Sequence, residues 1–128
     1  MKAGTKTMLA LSAVLVCGAI AAIPAGAGGS AATKSACSLS QGEQRGDLGA
    51  DYVYKLTARN LGCDKAKALA RKFNKCRHEH GGARGKCPSI KGYKCSQKKL
   101  DSSRQIYQAK AKCVKGSKKF GEVFGELT

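Results

Sequence analysis

Six cysteines spread between residues 37 and 113 are the feature that most constrains how this chain can fold. They are Cys37, Cys63, Cys76, Cys87, Cys95 and Cys113. The seventh cysteine, Cys17, lies within residues 1–27, which are predicted below to be removed on export and leave about a hundred residues. In an exported chain of that size, an even number of cysteines is typical of a disulfide framework, because a core of this size is small and benefits from cross-links. We therefore expect three disulfides, although the sequence alone leaves open which pairing forms.

A zinc site is the alternative interpretation of the cysteines near the two histidines. Cys76, His78, His80 and Cys87 lie close together in the sequence. Structural zinc sites favour ligand pairs separated by about two to five residues, whereas a Cys-x-His-x-His run would have to fold back tightly on itself. Disulfides suit an exported chain better, so we expect no bound metal.

Residues 1–27 have the organisation of a secretory signal peptide. Lys2 and Lys6 precede an apolar run from Met8 to Ile23, and small residues at 25–27 form a cleavage site. The run is short for a membrane-spanning helix, which needs about 20 apolar residues. We therefore expect cleavage after Ala27 and a secreted mature protein.

The positive charge is concentrated in one part of the chain. The whole sequence has 24 basic and 8 acidic side chains, a formal net charge of +16. Residues 64–119 hold eighteen of the basic side chains and only three acidic ones, whereas residues 28–63 and 120–128 carry little net charge. A field of this strength attracts polyanions and makes their binding sensitive to salt. The alternative is that the charge serves only solubility.

Hydrophobic periodicity predicts one strand followed by one amphipathic helix. Residues 52–61 alternate between two faces, which indicates a half-buried strand. Its inward face would comprise Tyr52, Tyr54, Leu56 and Ala58. Residues 65–77 have an apolar stripe with helical spacing, and Asp64 is expected to cap this helix. The stripe consists of Ala66, Leu69, Ala70, Phe73 and Cys76.

Further strands are expected after the helix. The glycines of residues 78–87 indicate a loop, residues 92–95 a short strand, and residues 104–114 a longer strand with alternating faces. A turn at 115–118 then leads into residues 119–124, which predicts a β-hairpin. The expected fold class is α+β: a small disulfide-stabilised domain with one helix packed on an antiparallel sheet of three to four strands.

The predicted organisation has three parts. Residues 1–27 are the signal peptide, residues 28–49 a flexible leader rich in Gly, Ala and Ser, and residues 50–128 the disulfide-stabilised domain. Within the domain, a bond between Cys76 and Cys87 would close the glycine-rich loop, and it is the pairing that the sequence favours most.

Three short segments carry a resemblance to known proteins. They are Arg59-Asn60-Leu61-Gly62-Cys63, Gly92-Tyr93-Lys94-Cys95 and Cys113-Val114-Lys115-Gly116, with the predicted helix and strands between them. In this order of motifs the chain resembles a group of small secreted actinobacterial proteins of unknown function, over approximately residues 52–125. The resemblance implies export, the fold and a Cys63–Cys95 disulfide, but no activity. Cys37–Cys113 would then be the third pair by elimination.

No catalytic site is predicted. His78, Glu79 and His80 form the histidine cluster, but neighbours in a glycine-rich loop are badly placed to act on opposite sides of one bond. Histidines at the C-terminal end of a helix are more simply explained by the helix dipole. We expect no enzyme activity and no cofactor, and an enzyme would have to use His78 or His80.

The predicted contact surface is the basic side of the helix. It carries Lys65, Lys67, Arg71, Lys72 and Lys75. We expect a monomeric secreted module that uses this side to associate with anionic surfaces or polymers, such as cell-envelope polymers, lipid head groups or extracellular nucleic acid. The alternative is a small effector or inhibitor that binds an acidic protein partner. The aromatic residues after the helix are expected in the core, so no platform for base stacking is predicted.

Overall fold

The computed structural model describes residues 34–128, which form one α-helix and six β-strands. The strands are β1 (Ser35–Cys37), β2 (Tyr52–Arg59), β3 (Ser89–Ile90), β4 (Tyr93–Ser102), β5 (Ile106–Lys115) and β6 (Lys118–Leu127). The helix α1 spans Cys63–Glu79, an irregular helical turn spans Glu43–Asp47, and a 3₁₀ turn spans Gly82–Arg84. The predicted signal peptide and the first part of the predicted leader lie outside the described residues.

All six strands belong to one antiparallel sheet with the order β1-β2-β6-β5-β4-β3. α1 packs on one face of this sheet, and Leu56, Phe73 and Phe124 lie in the core between the two layers. The protein is therefore a small disulfide-rich α+β domain. The sheet has six strands where three to four were predicted, because β1 and β3 contain only three and two residues and are too short to display a periodicity.

The helix is longer than its periodicity predicted. It begins directly after Gly62, so Asp64 is not the cap but lies inside the first turn, where its charge favours the positive end of the helix dipole. The apolar stripe faces the sheet as predicted, with Cys76 partly buried and the other members fully buried: Ala66, Leu69, Ala70 and Phe73.

The folded domain begins earlier than residue 50. β1 pairs with β2 at one edge of the sheet. Leu48 and Ala50, between these strands, expose 0% and 1% of their surfaces and belong to the core. Residues 35–50 are therefore part of the domain. Composition did not reveal this because the segment contributes only a few apolar side chains among many small and polar ones.

The three longest strands, β4, β5 and β6, are adjacent in the sheet. In β5 the predicted alternation is present, and the inward side chains are buried: Tyr107, Ala109, Ala111 and Cys113. The hairpin between β5 and β6 is also present, with Gly116 in its turn at a φ of 59°. The short strand predicted at residues 92–95 extends to Ser102, because β4 pairs with β5 along its length. Its outer half is mostly exposed and lacks an apolar pattern.

Three disulfides cross-link the domain: Cys37–Cys63, Cys76–Cys87 and Cys95–Cys113. The first attaches β1 to the start of α1, and the second, which the sequence favoured, closes the loop after α1. The Cys63–Cys95 and Cys37–Cys113 pairings are both wrong. Cys95 and Cys113 are direct neighbours on adjacent strands, with Cα atoms 4.0 Å apart, and bond to each other.

Candidate anion-binding surfaces

The face of the sheet opposite α1 is covered with basic side chains. Along β5, the exposed Lys110 and Lys112 alternate with the buried Ala109 and Ala111, so the two lysines point away from the helix. Outward positions on β2, β4 and β6 carry further cations. The whole set, here called the basic sheet face, is Lys55, Arg59, Lys94, Lys98, Lys110, Lys112 and Lys119.

The strand register aligns these charges in rows across the sheet. One row across β4, β5, β6 and β2 consists of Lys98, Lys110, Val123 and Lys55. In the next row, Gly121 lies between Lys112 and Thr57. Basic side chains thus lie on both sides of a strip of small and apolar residues.

A shallow cavity of about 360 Å³ follows this strip. Gly121 is among its lining residues, and a Cβ at this position would lie 3.2 Å from both the Ala111 carbonyl oxygen and Thr57 Oγ1. The basic residues around the cavity are Lys34, Lys55, Arg59, Lys110, Lys112 and Lys119. Within residues 34–128, none of the salt bridges involves Lys55, Lys110 or Lys112, so these three charges remain available to a ligand.

A β-bulge brings Tyr54 to the same face. The register of β2 shifts between Val53 and Lys55, which leaves Tyr54 without a partner on β6. The prediction that Tyr52 and Tyr54 face the core is therefore wrong, because the extra residue of a bulge interrupts the alternation and both rings lie on the side opposite α1. Tyr54 is 50% exposed, receives a hydrogen bond from Gln108 Nε2 at 3.4 Å, and stacks on the ring of Tyr52 with centroids 6.2 Å apart. The aromatic residues expected in the core are buried: Tyr93, Tyr107, Phe120 and Phe124.

Two of the five predicted helix cations have partners in the segment between β1 and β2. Lys67 Nζ lies 3.0 Å from Glu43 Oε2, and Arg71 Nε donates to the Asp47 carbonyl at 2.9 Å. The backbone N–H of Ser40 and then Lys67 lower the pKa of Glu43 below its ordinary value. Both helix cations therefore hold the turn Glu43–Asp47 against α1.

The other helix cations are divided between two environments. Lys75 is largely exposed and approaches Glu79 at 4.0 Å. Lys65 and Lys72 line a second cavity, of about 450 Å³, which we call the lysine cavity. It lies where α1 meets the β3–β4 and β5–β6 turns. Its lining residues are Lys65, Ala68, Leu69, Lys72, Lys91, Tyr93, Lys115 and Lys118.

The lysines of this cavity are close to one another. Lys72 lies beside Lys91, and this neighbouring positive charge lowers the pKa of Lys72. Lys115 Nζ donates to the Lys91 carbonyl at 3.5 Å and lies 5.8 Å from the ring centroid of Tyr93. Since the helix and two turns contribute these residues from distant parts of the chain, no local sequence pattern predicted the cluster.

The two histidines are held by different partners. His78 Nε2 lies 2.8 Å from Glu126 Oε1, and His80 Nδ1 lies 2.7 Å from the Cys76 carbonyl oxygen. Cys76 and Cys87, the other members of the hypothetical zinc site, are bonded to each other. In the described part of the chain, no three or more His, Cys, Asp or Glu side chains are grouped to hold a metal ion.

A buried polar network joins α1 to β6. Arg77 donates to Glu126 Oε1 and, at 3.0 Å, to Asn74 Oδ1; Asn74 in turn donates to Glu122 Oε2 at 3.3 Å. All four residues are buried. Burial raises the pKa of Glu122 to about 8, because desolvation of the carboxylate outweighs the opposing effects of Arg77 and Asn74. This network was not predicted from the sequence, although alternation along β6 places both glutamates on the same face as Phe124.

No helix within residues 34–128 is long and apolar enough to cross a membrane. Comparisons with protein-family models, with curated proteins and with solved structures found no match. The resemblance to the actinobacterial group therefore stays a prediction.

Proposed function

We propose that the protein is a secreted basic module that binds linear phosphate-bearing polymers through the basic sheet face. The observation that carries this proposal is the pair of lysine groups on either side of the strip around Gly121. The disulfides and the predicted signal peptide support an extracellular location, where phosphate polymers of the cell envelope and released nucleic acid are within reach.

The spacing of the lysines suits an extended chain. Outward residues such as Lys110 and Lys112 lie about 7 Å apart along a strand, and neighbouring strands lie about 4.8 Å apart. A polymer on the strip would meet ammonium groups on both sides. Each contact would release counterions from the polymer, so the affinity should fall steeply with salt.

The lysines of the sheet face can bind a ligand without breaking contacts inside the protein. Lys67 would have to leave Glu43, and Arg71 would have to release the Asp47 carbonyl. Lys55, Lys110 and Lys112 have no such ion pair among the described residues. For this reason we assign polymer binding to the sheet and not to the whole helix side.

The surface favours a polymer over an acidic protein partner. Protein interfaces usually have an apolar centre with a few large anchoring side chains. The large hydrophobic residues exposed among residues 34–128 are Tyr54, Leu100 and Leu127. The register places Tyr54 and Leu127 on the side of the sheet opposite α1, but neither lines the cavity along the strip.

Binding to inorganic polyphosphate tests the proposal, with a charge-matched control. The sheet variant is Lys55→Gln/Lys110→Gln/Lys112→Gln, and the control is Lys86→Gln/Lys99→Gln/Arg104→Gln, which removes three exposed charges elsewhere. We expect the sheet variant to lose at least about tenfold in affinity at low salt and the control to lose several-fold less. Both should keep the wild-type Tm, because all six side chains are exposed.

Equal losses in the two variants would contradict the proposal, since net charge alone would then govern binding. Phosphatidylcholine vesicles containing phosphatidylglycerol provide a planar anionic surface for comparison. Tighter binding to these vesicles than to polyphosphate would contradict the choice of a linear polymer. Capture of an acidic protein that survives high salt would favour a shaped protein interface instead.

A further inference from the structure

The lysine cavity has a charge arrangement that is unfavourable in the free protein. Lys72 and Lys91 lie side by side, and Lys115 is tied to the Lys91 carbonyl. Lys65 and Lys118 complete a set of five lysines, and among residues 34–128 no carboxylate lines the cavity. Like charges this close repel each other, so a protein without use for them would be more stable if one were replaced.

The backbone conformation of Lys91 is a second feature that selection for stability alone would not favour in a lysine. Lys91 and Gly92 form the two-residue turn between β3 and β4, and both have positive φ values, 49° and 82°. This turn geometry favours Asn-Gly or Asp-Gly, because a side chain longer than Asn gains nothing from the left-handed conformation. Lysine therefore occupies a position where asparagine would fit the turn better and would also remove the repulsion.

Strained positions and local departures from folding preferences are concentrated at functional sites. The cavity has the other features of a binding site. Its volume is about 450 Å³, its walls include Leu69 and the ring of Tyr93, and its cations come from a helix and two turns whose positions are fixed by the sheet. Lys72 and Lys91 are adjacent, and Lys115 Nζ is held at the Lys91 carbonyl, whereas the cations of the basic sheet face are arranged in rows.

We propose that the lysine cavity binds a compact anion that carries several phosphate groups. The ligand is either a free oligophosphate or the phosphorylated head group of a lipid, since both present the same chemistry. Lys72, Lys91 and Lys115 contact the phosphate oxygens, and the bound charge relieves the repulsion between Lys72 and Lys91. None of the residues of the basic sheet face takes part. A negative result for this site would therefore not contradict polymer binding by the sheet face, and the reverse also holds.

Calorimetric titration with tripolyphosphate of the wild type and of Lys91→Asn tests the site. The variant should bind at least about tenfold more weakly, because one charge-assisted contact is lost. At the same time its Tm should rise by about 4 °C, because asparagine suits the turn and the repulsion disappears. Lys72→Gln should also lose affinity. The control Lys86→Asn removes an exposed lysine outside the cavity and should change neither affinity nor Tm appreciably.

Unchanged tripolyphosphate affinity in Lys91→Asn would overturn the proposal, whatever happens to its Tm. So would an equal loss in Lys86→Asn, which would indicate attraction by net charge only. The triple variant of the sheet face should keep its tripolyphosphate affinity, and a loss there as large as in Lys91→Asn would contradict a separate site. Phosphatidylcholine vesicles with and without phosphatidic acid distinguish the sources: recruitment that depends on Lys91 supports a lipid head group, and tripolyphosphate binding without recruitment supports a free oligophosphate.

Discussion

Arg77 and Glu126 form an ion pair inside the protein, and their side chains expose 0% and 2% of their surfaces. The guanidinium of Arg77 also lies over the ring of Phe124, 3.9 Å from its centroid, and donates to the Ala83 carbonyl at 3.2 Å. The backbone N–H of Asp51 donates to the second oxygen of Glu126 at 3.2 Å. These contacts compensate much of the desolvation cost of the two charges, and they join the end of α1 to β6 and to the segment before β2.

Replacement of Arg77 should be strongly destabilising. In Arg77→Met the Glu126 carboxylate would remain buried without its main partner, which typically costs about 3–5 kcal/mol of unfolding free energy. The double variant Arg77→Met/Glu126→Gln should lose much less than the sum of the two single variants, because no buried charge is left unpaired. Urea unfolding measures all three, and additive losses would contradict the coupling.

Glu122 should make the stability of the protein depend on pH. Folding raises its pKa from an ordinary 4.5 to about 8, so the folded state keeps a proton that the unfolded state releases above pH 4.5. The contribution of Glu122 to stability therefore falls as the pH rises from about 4.5 to about 8 and is constant outside this window. Below this window, Glu122→Gln should have the same free energy of unfolding as the wild type. Above it, the variant should be more stable by a few kcal/mol.

The measurement is a series of urea unfolding curves for the wild type and Glu122→Gln across this pH range. An equal dependence on pH in both proteins would contradict the assignment to Glu122. The amide of glutamine keeps an oxygen that can accept the hydrogen bond from Asn74, so the variant changes the charge with little change in shape.

The Cys37–Cys63 disulfide should hold β1 on the sheet. β1 has three residues and pairs only with β2 at the edge. Cys37→Ala/Cys63→Ala should lower the unfolding free energy by about 3 kcal/mol, since the bond closes a loop with a sequence separation of 26. Hydrogen exchange should show loss of protection in β1, whereas the pairing between β5 and β6 should remain protected. Full protection of β1 in the variant would contradict this role.

Elements with a long, regular pattern could be predicted from the sequence, and elements that depend on irregular geometry could not. The apolar stripe from Ala66 to Phe73 and the alternation around Ala109 and Ala111 each determine which face is buried. The bulge at Tyr54 breaks such a pattern without any glycine or proline to indicate it. Composition and periodicity gave no indication that Arg77 is buried. The cost of burying its charge is offset by Glu126, which is distant in sequence.

The candidate sites follow the same division. That Lys110 and Lys112 are exposed on one face could be predicted from alternation, but the face itself becomes basic only when four strands are placed side by side. The helix cations looked equivalent in sequence, yet Lys67 is bound to Glu43 and Lys72 lines a cavity. Tertiary contacts decide which charges a ligand can reach.

The salt dependence of polyphosphate binding tests the central claim most directly. The slope of log K against log salt concentration counts the phosphate contacts that the protein makes, at about 0.7 per contact for a single chain. We expect the slope to decrease in magnitude by about two units in Lys55→Gln/Lys110→Gln/Lys112→Gln and to stay at the wild-type value in Lys86→Gln/Lys99→Gln/Arg104→Gln. The same slope in all three proteins would contradict binding through the basic sheet face.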